Sequence, residues 1–275
     1  MKNISLFILL VLAAATISCD TIDDPLRNTD PSGGNPGNDT TVVKQIILLE
    51  EFTGVKCNNC PAAAVEAKRL KELYGEQLLI IGVHAGNLAQ TDPDHPRAFR
   101  TPEGTELFDI FSFPGVPLGL INRVDNETNQ ILKPSGDWRN VIPDLIDNTP
   151  VASMSLQERS FNANTRKLEV EGTVEIIGTL PTNNIYLSVY LIENDIISPQ
   201  TMPDKSINAD YEHDFVLRGS FNTTFGEQID VSSNSIPFTK SITLDAEIVK
   251  ENTAAIAFIY NRDTYEILQA VQVEL

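Results

Sequence analysis

The chain has 275 residues, with 38 Asp and Glu against 20 Lys and Arg, so its formal charge is −18. Hydrophobic residues are 41% and charged residues 21%, an ordinary balance for a folded protein and unlike that of a disordered or many-times membrane-spanning chain. No Lys/Arg cluster supplies a basic footprint, which excludes nucleic acid as a partner. Three cysteines, Cys19, Cys57 and Cys60, are too few for disulfides to hold the fold together.

The amino terminus reads as a targeting segment. Met1-Lys2-Asn3 starts it with a positive charge, and Ile4 to Ile17 is an apolar run too short to span a bilayer well. The run ends in Ser18-Cys19, which resembles a bacterial lipobox, with Thr16 where Leu is commonest. Residues 1–18 are therefore expected to be a signal peptide and Cys19 a lipidation site that anchors the mature chain to a membrane. Residues 19–41 are rich in Gly, Pro, Asn and Asp and poor in apolar residues, as a flexible tether is. Asp23-Asp24 is like the acidic export signals of surface lipoproteins.

From 42 to 149, strands alternate with helical patterns, as in an α/β domain. Gln45 to Phe52 is a continuous apolar strand. Cys60 to Tyr74 repeats Ala64, Ala67, Leu70, Leu73 and Tyr74 at helical spacing. Leu78 to Val83 predicts a second strand, and residues 85–103 a polar loop. Thr105 to Phe111 predicts a short helix, Leu118 to Asn122 a third strand, and Trp138 to Ile146 a last helix with Trp138 in the core.

After Thr149-Pro150 the pattern changes to period two. Leu168, Val170, Val174 and Ile176 form one alternating set, Ile185, Leu187, Val189 and Leu191 another, and Tyr265, Ile267, Val271 and Val273 a third. Six or seven such strands predict an all-β, immunoglobulin-like sandwich over 150–275.

The residues suited to chemistry stand at the first strand-to-helix turn, Thr53-Gly-Val-Lys-Cys57-Asn-Asn-Cys60-Pro61. Two cysteines three apart at a helix start can close a disulfide within one turn. The helix N-terminus favours a thiolate at Cys57, making it the nucleophile, with Cys60 shielded one turn in as the resolving thiol. A zinc reading needs two more ligands. His84, His95 and His213 are read instead as packed or turn residues. So is the Asp92, Asp94, His95 cluster, hemmed by prolines, and Arg218 is read as structural. No metal and no cofactor are expected. Glu51, six residues before Cys57, is a proton-relay candidate for Cys60; Glu50 is its equal in the sequence, and the strand faces are unassigned at this level. Phe113-Pro-Gly-Val116-Pro117 resembles the cis-proline turn of thioredoxins, in which Pro117 faces the cysteines and Val116 presents its backbone to a bound peptide.

The runs 48–61 (LLEEFTGVKCNNCP) and 113–123 (FPGVPLGLINR), with Glu212 to Arg218 and the segment 257–271, resemble the outer-membrane-protein-28-related lipoproteins of Bacteroidetes across the whole mature chain. That resemblance implies a thioredoxin-like domain followed by a β-sandwich, lipid-anchored at the outer membrane. Lys56 stands where many thioredoxins place tryptophan before the first cysteine. Two function classes follow. One is a thiol–disulfide oxidoreductase acting on envelope proteins. The other is a binding or adhesion lipoprotein in which Cys57–Cys60 is a structural staple.

Overall fold

The computed structural model describes residues 43–125 and 131–275. The signal peptide, Cys19, Asp23-Asp24 and the tether read from the sequence lie outside the described residues. The amino-terminal half runs β1 (Ile47–Thr53), α1 (Cys60–Tyr74), β2 (Leu78–His84), α2 (Pro102–Ile110), β3 (Leu118–Ile121) and α3 (Trp138–Ile146). β1 is parallel to β2 and antiparallel to β3, and Gly119 of β3 also bridges to Lys133. This is the thioredoxin arrangement. β1 and β2 are buried along almost their whole length because both faces are covered, and apart from Glu50, Glu51 and the strand ends their residues are apolar or Gly. On one face Ile47, Leu49, Leu78 and Ile80 meet Ala67 and Leu70 of α1 and Trp138 and Ile142 of α3.

Element boundaries differ from the sequence reading where caps decide them. α2 starts at Pro102, three residues earlier than expected, because the Thr101 hydroxyl accepts from the Gly104 amide and Pro102 occupies the first turn. α1 matches in extent, but its buried stripe is Cys60, Ala63, Ala67 and Leu70, so the helix is rotated from the expected face. Leu73, expected inside, is exposed.

The second half is all-β: β4 (Ala152–Asn162), β5 (Lys167–Ile176), β6 (Ile185–Glu193), β7 (Ile196–Ile197), β8 (Gln200–Thr201), β9 (Ile207–Asn208), β10 (Glu212–His213), β11 (Val216–Ser220), β12 (Glu227–Gln228), β13 (Ser235–Thr243), β14 (Thr253–Asn261) and β15 (Ile267–Glu274). β13, β5 and β4 form a three-stranded sheet that packs Leu168, Val170 and Phe238 against Leu187, Val189 and Ala257 of β6 and β14. That is the expected sandwich. Tyr265 does not lead β15. It sits in the preceding turn with a left-handed backbone, φ 67°, and its ring stacks on Tyr260.

The two halves share one sheet. Its order is β15-β14-β6-β11-β2-β1-β3, joined where Val216 of β11 pairs in parallel with Gly82 of β2. The sheet curls until its last strand meets the start of its first: the Ile46 amide donates to Gln269 Oε1 at 3.0 Å, and the Ile267 amide donates to the Asn122 carbonyl at 2.9 Å. Inside the curl, Leu48, Phe52, Leu79 and Ile81 pack in one core with Tyr190, Ile192, Phe258 and Tyr260. β6 is therefore buried on both faces, and the simple alternation expected for it is absent: Tyr190 and Ser188 are as covered as Leu187 and Val189. The described residues fall in one compact unit, and the pattern change at Thr149-Pro150 marks the passage from α3 into β4.

Candidate functional site

Cys57 and Cys60 form a disulfide at the N-terminus of α1, with their Cα atoms 5.4 Å apart. The turn before it is held by the backbone. The Cys57 amide donates to the Gly54 carbonyl at 3.0 Å, and the Lys56 amide donates to the Leu88 carbonyl at 2.9 Å. Gly54 is required there, since a Cβ on it would lie 2.7 Å from the Leu88 backbone. The Val116–Pro117 bond is cis, and Cys57 Sγ is 3.8 Å from the Val116 carbonyl oxygen. The two motifs, some sixty residues apart in the chain, thus lie together in the fold. Shielding, however, does not separate the two sulfurs: Cys57 and Cys60 are each 2% exposed.

Glu50 and Glu51 point to opposite faces of β1. Glu50 lies in the curled core, where Arg123 donates from Nε to Oε2 at 2.7 Å and from Nη2 to Oε1 at 2.6 Å. The Arg123 guanidinium in turn stacks over Phe111, Phe258 and Tyr260. Glu51 faces the cysteines. Its cross-strand neighbours are both glycines, Gly82 and Gly119, so no side chain in the adjacent strands fills the space beside it. Glu51 and Cys60 line one cavity of about 40 Å³, large enough for a water molecule. Glu51 is 5% exposed, and among the described residues nothing hydrogen-bonds its Oε1. Burial pushes its carboxyl up to about 8.

Thr53, Pro61, Ala64, Lys68, Gly82 and His84 line it too, and the rest of its wall comes from the β half, which sequence reading did not connect to the cysteines. Tyr211 and His213 close one side, and Gln200 another. Burial holds the His213 imidazole down at about 4 and pushes the Tyr211 phenol up to about 12. His84 is packed, as expected, with Phe99 and His213, and burial together with His213 and Arg218 keeps it well below its usual range. Lys68 of α1 pairs with Asp214 beside the same cavity. His95 is the turn residue expected. Its Nδ1 meets Asp92 Oδ1 at 2.9 Å, but its Nε2 also reaches Thr201 Oγ1 at 3.1 Å. Asp92 also pairs with Lys56 at 3.6 Å. Arg218 keeps a structural place between Glu193 and Glu247. Trp138 is fully buried and donates to the Lys133 carbonyl.

A family model described as outer membrane protein Omp28 matches residues 105–275. Among solved structures, HBP35 of Porphyromonas gingivalis is similar in fold, with a TM-score of 0.67 at 20% identity over 84% of this chain and 76% of that one. A domain of the outer membrane lipoprotein Omp28 from Porphyromonas gingivalis aligns at 23% identity over 46% of this chain and 92% of that one, with a TM-score of 0.31. No curated protein sequence matches the chain.

Proposed function

Because the chain belongs to the outer membrane protein Omp28 family, we propose that it is a lipid-anchored protein of the outer membrane whose thioredoxin-like half exchanges disulfides with envelope proteins through Cys57 and Cys60. The observation that carries this reading is Glu51: a buried carboxyl whose Oε1 has no hydrogen-bond partner among the described residues, pushed up to about 8 and sharing a water-sized cavity with Cys60. A staple has no use for a proton acceptor poised near neutral pH, and a resolving thiol does.

In the reducing direction the Cys57 thiolate attacks one sulfur of a substrate disulfide. A mixed disulfide forms and one substrate thiolate leaves. Cys60 gives its proton to the Glu51 carboxylate and attacks Cys57 Sγ, releasing the second substrate thiolate and restoring the Cys57–Cys60 bond. The reverse sequence oxidises a substrate dithiol. The helix N-terminus stabilises the Cys57 thiolate, and Val116 and Pro117 shape the groove for the substrate backbone. Anchorage through Cys19 keeps the reaction at the membrane.

A second reading rests on the burial of both cysteines, each 2% exposed: a binding lipoprotein in which the disulfide is a staple. The two readings separate by potential and by trapping. The exchange reading expects a wild-type pair above about −300 mV and mixed disulfides with envelope proteins in Cys60→Ser but not in Cys57→Ser. A lower potential with no trapped species selects the staple.

A further inference from the structure

We propose that Gln200, which follows Cys57 by 143 residues in the chain, is a positioning residue that clamps the cysteine turn and sets the redox balance of the pair from the β half. The proposal rests on the exchange reading for its use, and concerns how the same site is regulated. Gln200 Nε2 donates to the Cys57 carbonyl at 3.0 Å, with the Gly54 carbonyl at 3.4 Å and that of Thr201 at 3.1 Å. All three neighbours are acceptors, so this end of the side chain is the amide nitrogen. The next residue adds two holds. The Thr201 amide donates to the Val55 carbonyl at 2.9 Å. The Thr201 hydroxyl meets His95 at 3.1 Å, which is tied through Asp92 to Lys56. The carbonyls of Gly54, Val55 and Cys57 are thus all pinned to one short strand.

That strand is the first arm of a small hairpin. β8 pairs with β9, and the Met202 amide donates to the Ser206 carbonyl at 2.8 Å. Beyond its base the hairpin is exposed, Ile207 included. It touches the redox site at Gln200 and Thr201, as a clamp carried on a free arm would.

The physical effect has a sign. Reduction replaces one S–S bond by two S–H groups, which need more room than a disulfide, so Cys57 must shift against Cys60. A turn pinned at three carbonyls resists that shift, and the clamp as built fits the disulfide form. It therefore favours the oxidised state. Loss of one buried donor shifts such an equilibrium by roughly threefold to tenfold.

The test is equilibration of the full chain with dithiothreitol. Each turnover moves two electrons and two protons: the two thiols of the reagent close into a ring disulfide while Cys57–Cys60 opens to two thiols. The reduced fraction is read by alkylation and mass. Gln200→Leu is expected to shift the equilibrium toward the dithiol by up to roughly tenfold, about 30 mV for a two-electron couple, and to speed alkylation of Cys57. An unchanged equilibrium in a folded variant overturns the proposal. A measurement on the wild type covers a variant that does not fold. Hydrogen exchange at the Thr201 amide is expected to quicken on reduction, and equal exchange in both forms overturns the clamp. Failure of the exchange reading looks different: a Cys60→Ser variant that traps no partner, whatever the equilibrium of Gln200→Leu.

Discussion

Glu50 and Glu51 are consecutive residues of β1 with opposite fates: Glu50 is held by two hydrogen bonds from Arg123 inside an aromatic box, and Glu51 faces the Cys60 cavity with its Oε1 unpaired among the described residues. The pleat sends neighbouring side chains to opposite faces, and here each face has a different task. The Glu50 face lies in the core common to both halves of the chain, and the Glu51 face belongs to the disulfide.

Glu51 is expected to make stability fall with rising pH. Its folded value of about 8 lies above the ordinary 4.5, so between those limits the folded state holds a proton that the unfolded state has lost. The stability is fully present below about 4.5 and declines as pH rises toward 8, by up to roughly 1.4 kcal/mol per pH unit. Glu51→Gln removes this dependence. Urea unfolding is expected to find the variant more stable than the wild type at pH 8.5, by a few kcal/mol, with the difference gone near pH 4.5. Parallel curves would contradict the raised value that burial gives this carboxyl.

Breaking the ion pair of Glu50 is expected to be costly, and replacing it whole much less so. Arg123→Met leaves a buried carboxylate without its partner and should lose roughly 3–5 kcal/mol. The double variant Glu50→Gln, Arg123→Met should recover most of that loss. Denaturant midpoints of the single and double variants test it; equal losses would show that the pair matters only for its volume.

Truncation tests the shared core. A fragment of residues 42–149 would lose the cover that Tyr190, Ile192, Phe258 and Tyr260 give to Leu48, Phe52, Leu79, Ile81 and Val83. At roughly 1.5–3 kcal/mol for each large apolar side chain, even half of that loss rivals the about 5–15 kcal/mol that holds an ordinary domain. The fragment is expected to unfold without a cooperative transition, while the chain from residue 42 to its end unfolds with one. A sharp thermal transition in the fragment would establish 42–149 as an independent domain.

Anchorage is tested at Cys19. Cys19→Ala is expected to move the protein from the detergent phase into soluble extract, or to leave an unprocessed precursor. Unchanged partition with unchanged mass would rule out acylation at that residue.

The sequence by itself determined what is local. The apolar run before Cys57, the helical stripe after it and the proline ahead of β3 are set by neighbouring residues, and their order identified a thioredoxin-like half. The period-two strands likewise marked the second half as β. Tertiary structure alone decided what depends on distant segments. The choice between Glu50 and Glu51 needed Arg123, 73 residues on from Glu50, and the cavity over Gly82. The two-sided burial of β6 needed a sheet that curls across both halves. The rotation of α1 that exposes Leu73 needed the actual surface of β1 and β2. Gln200 carries no motif at all: an isolated polar residue in a two-residue strand shows its role only when the fold lays it against the Cys57 carbonyl. Periodicity records which way a side chain faces within its own element, whereas the partner it meets is chosen by the packing of elements far apart in the chain.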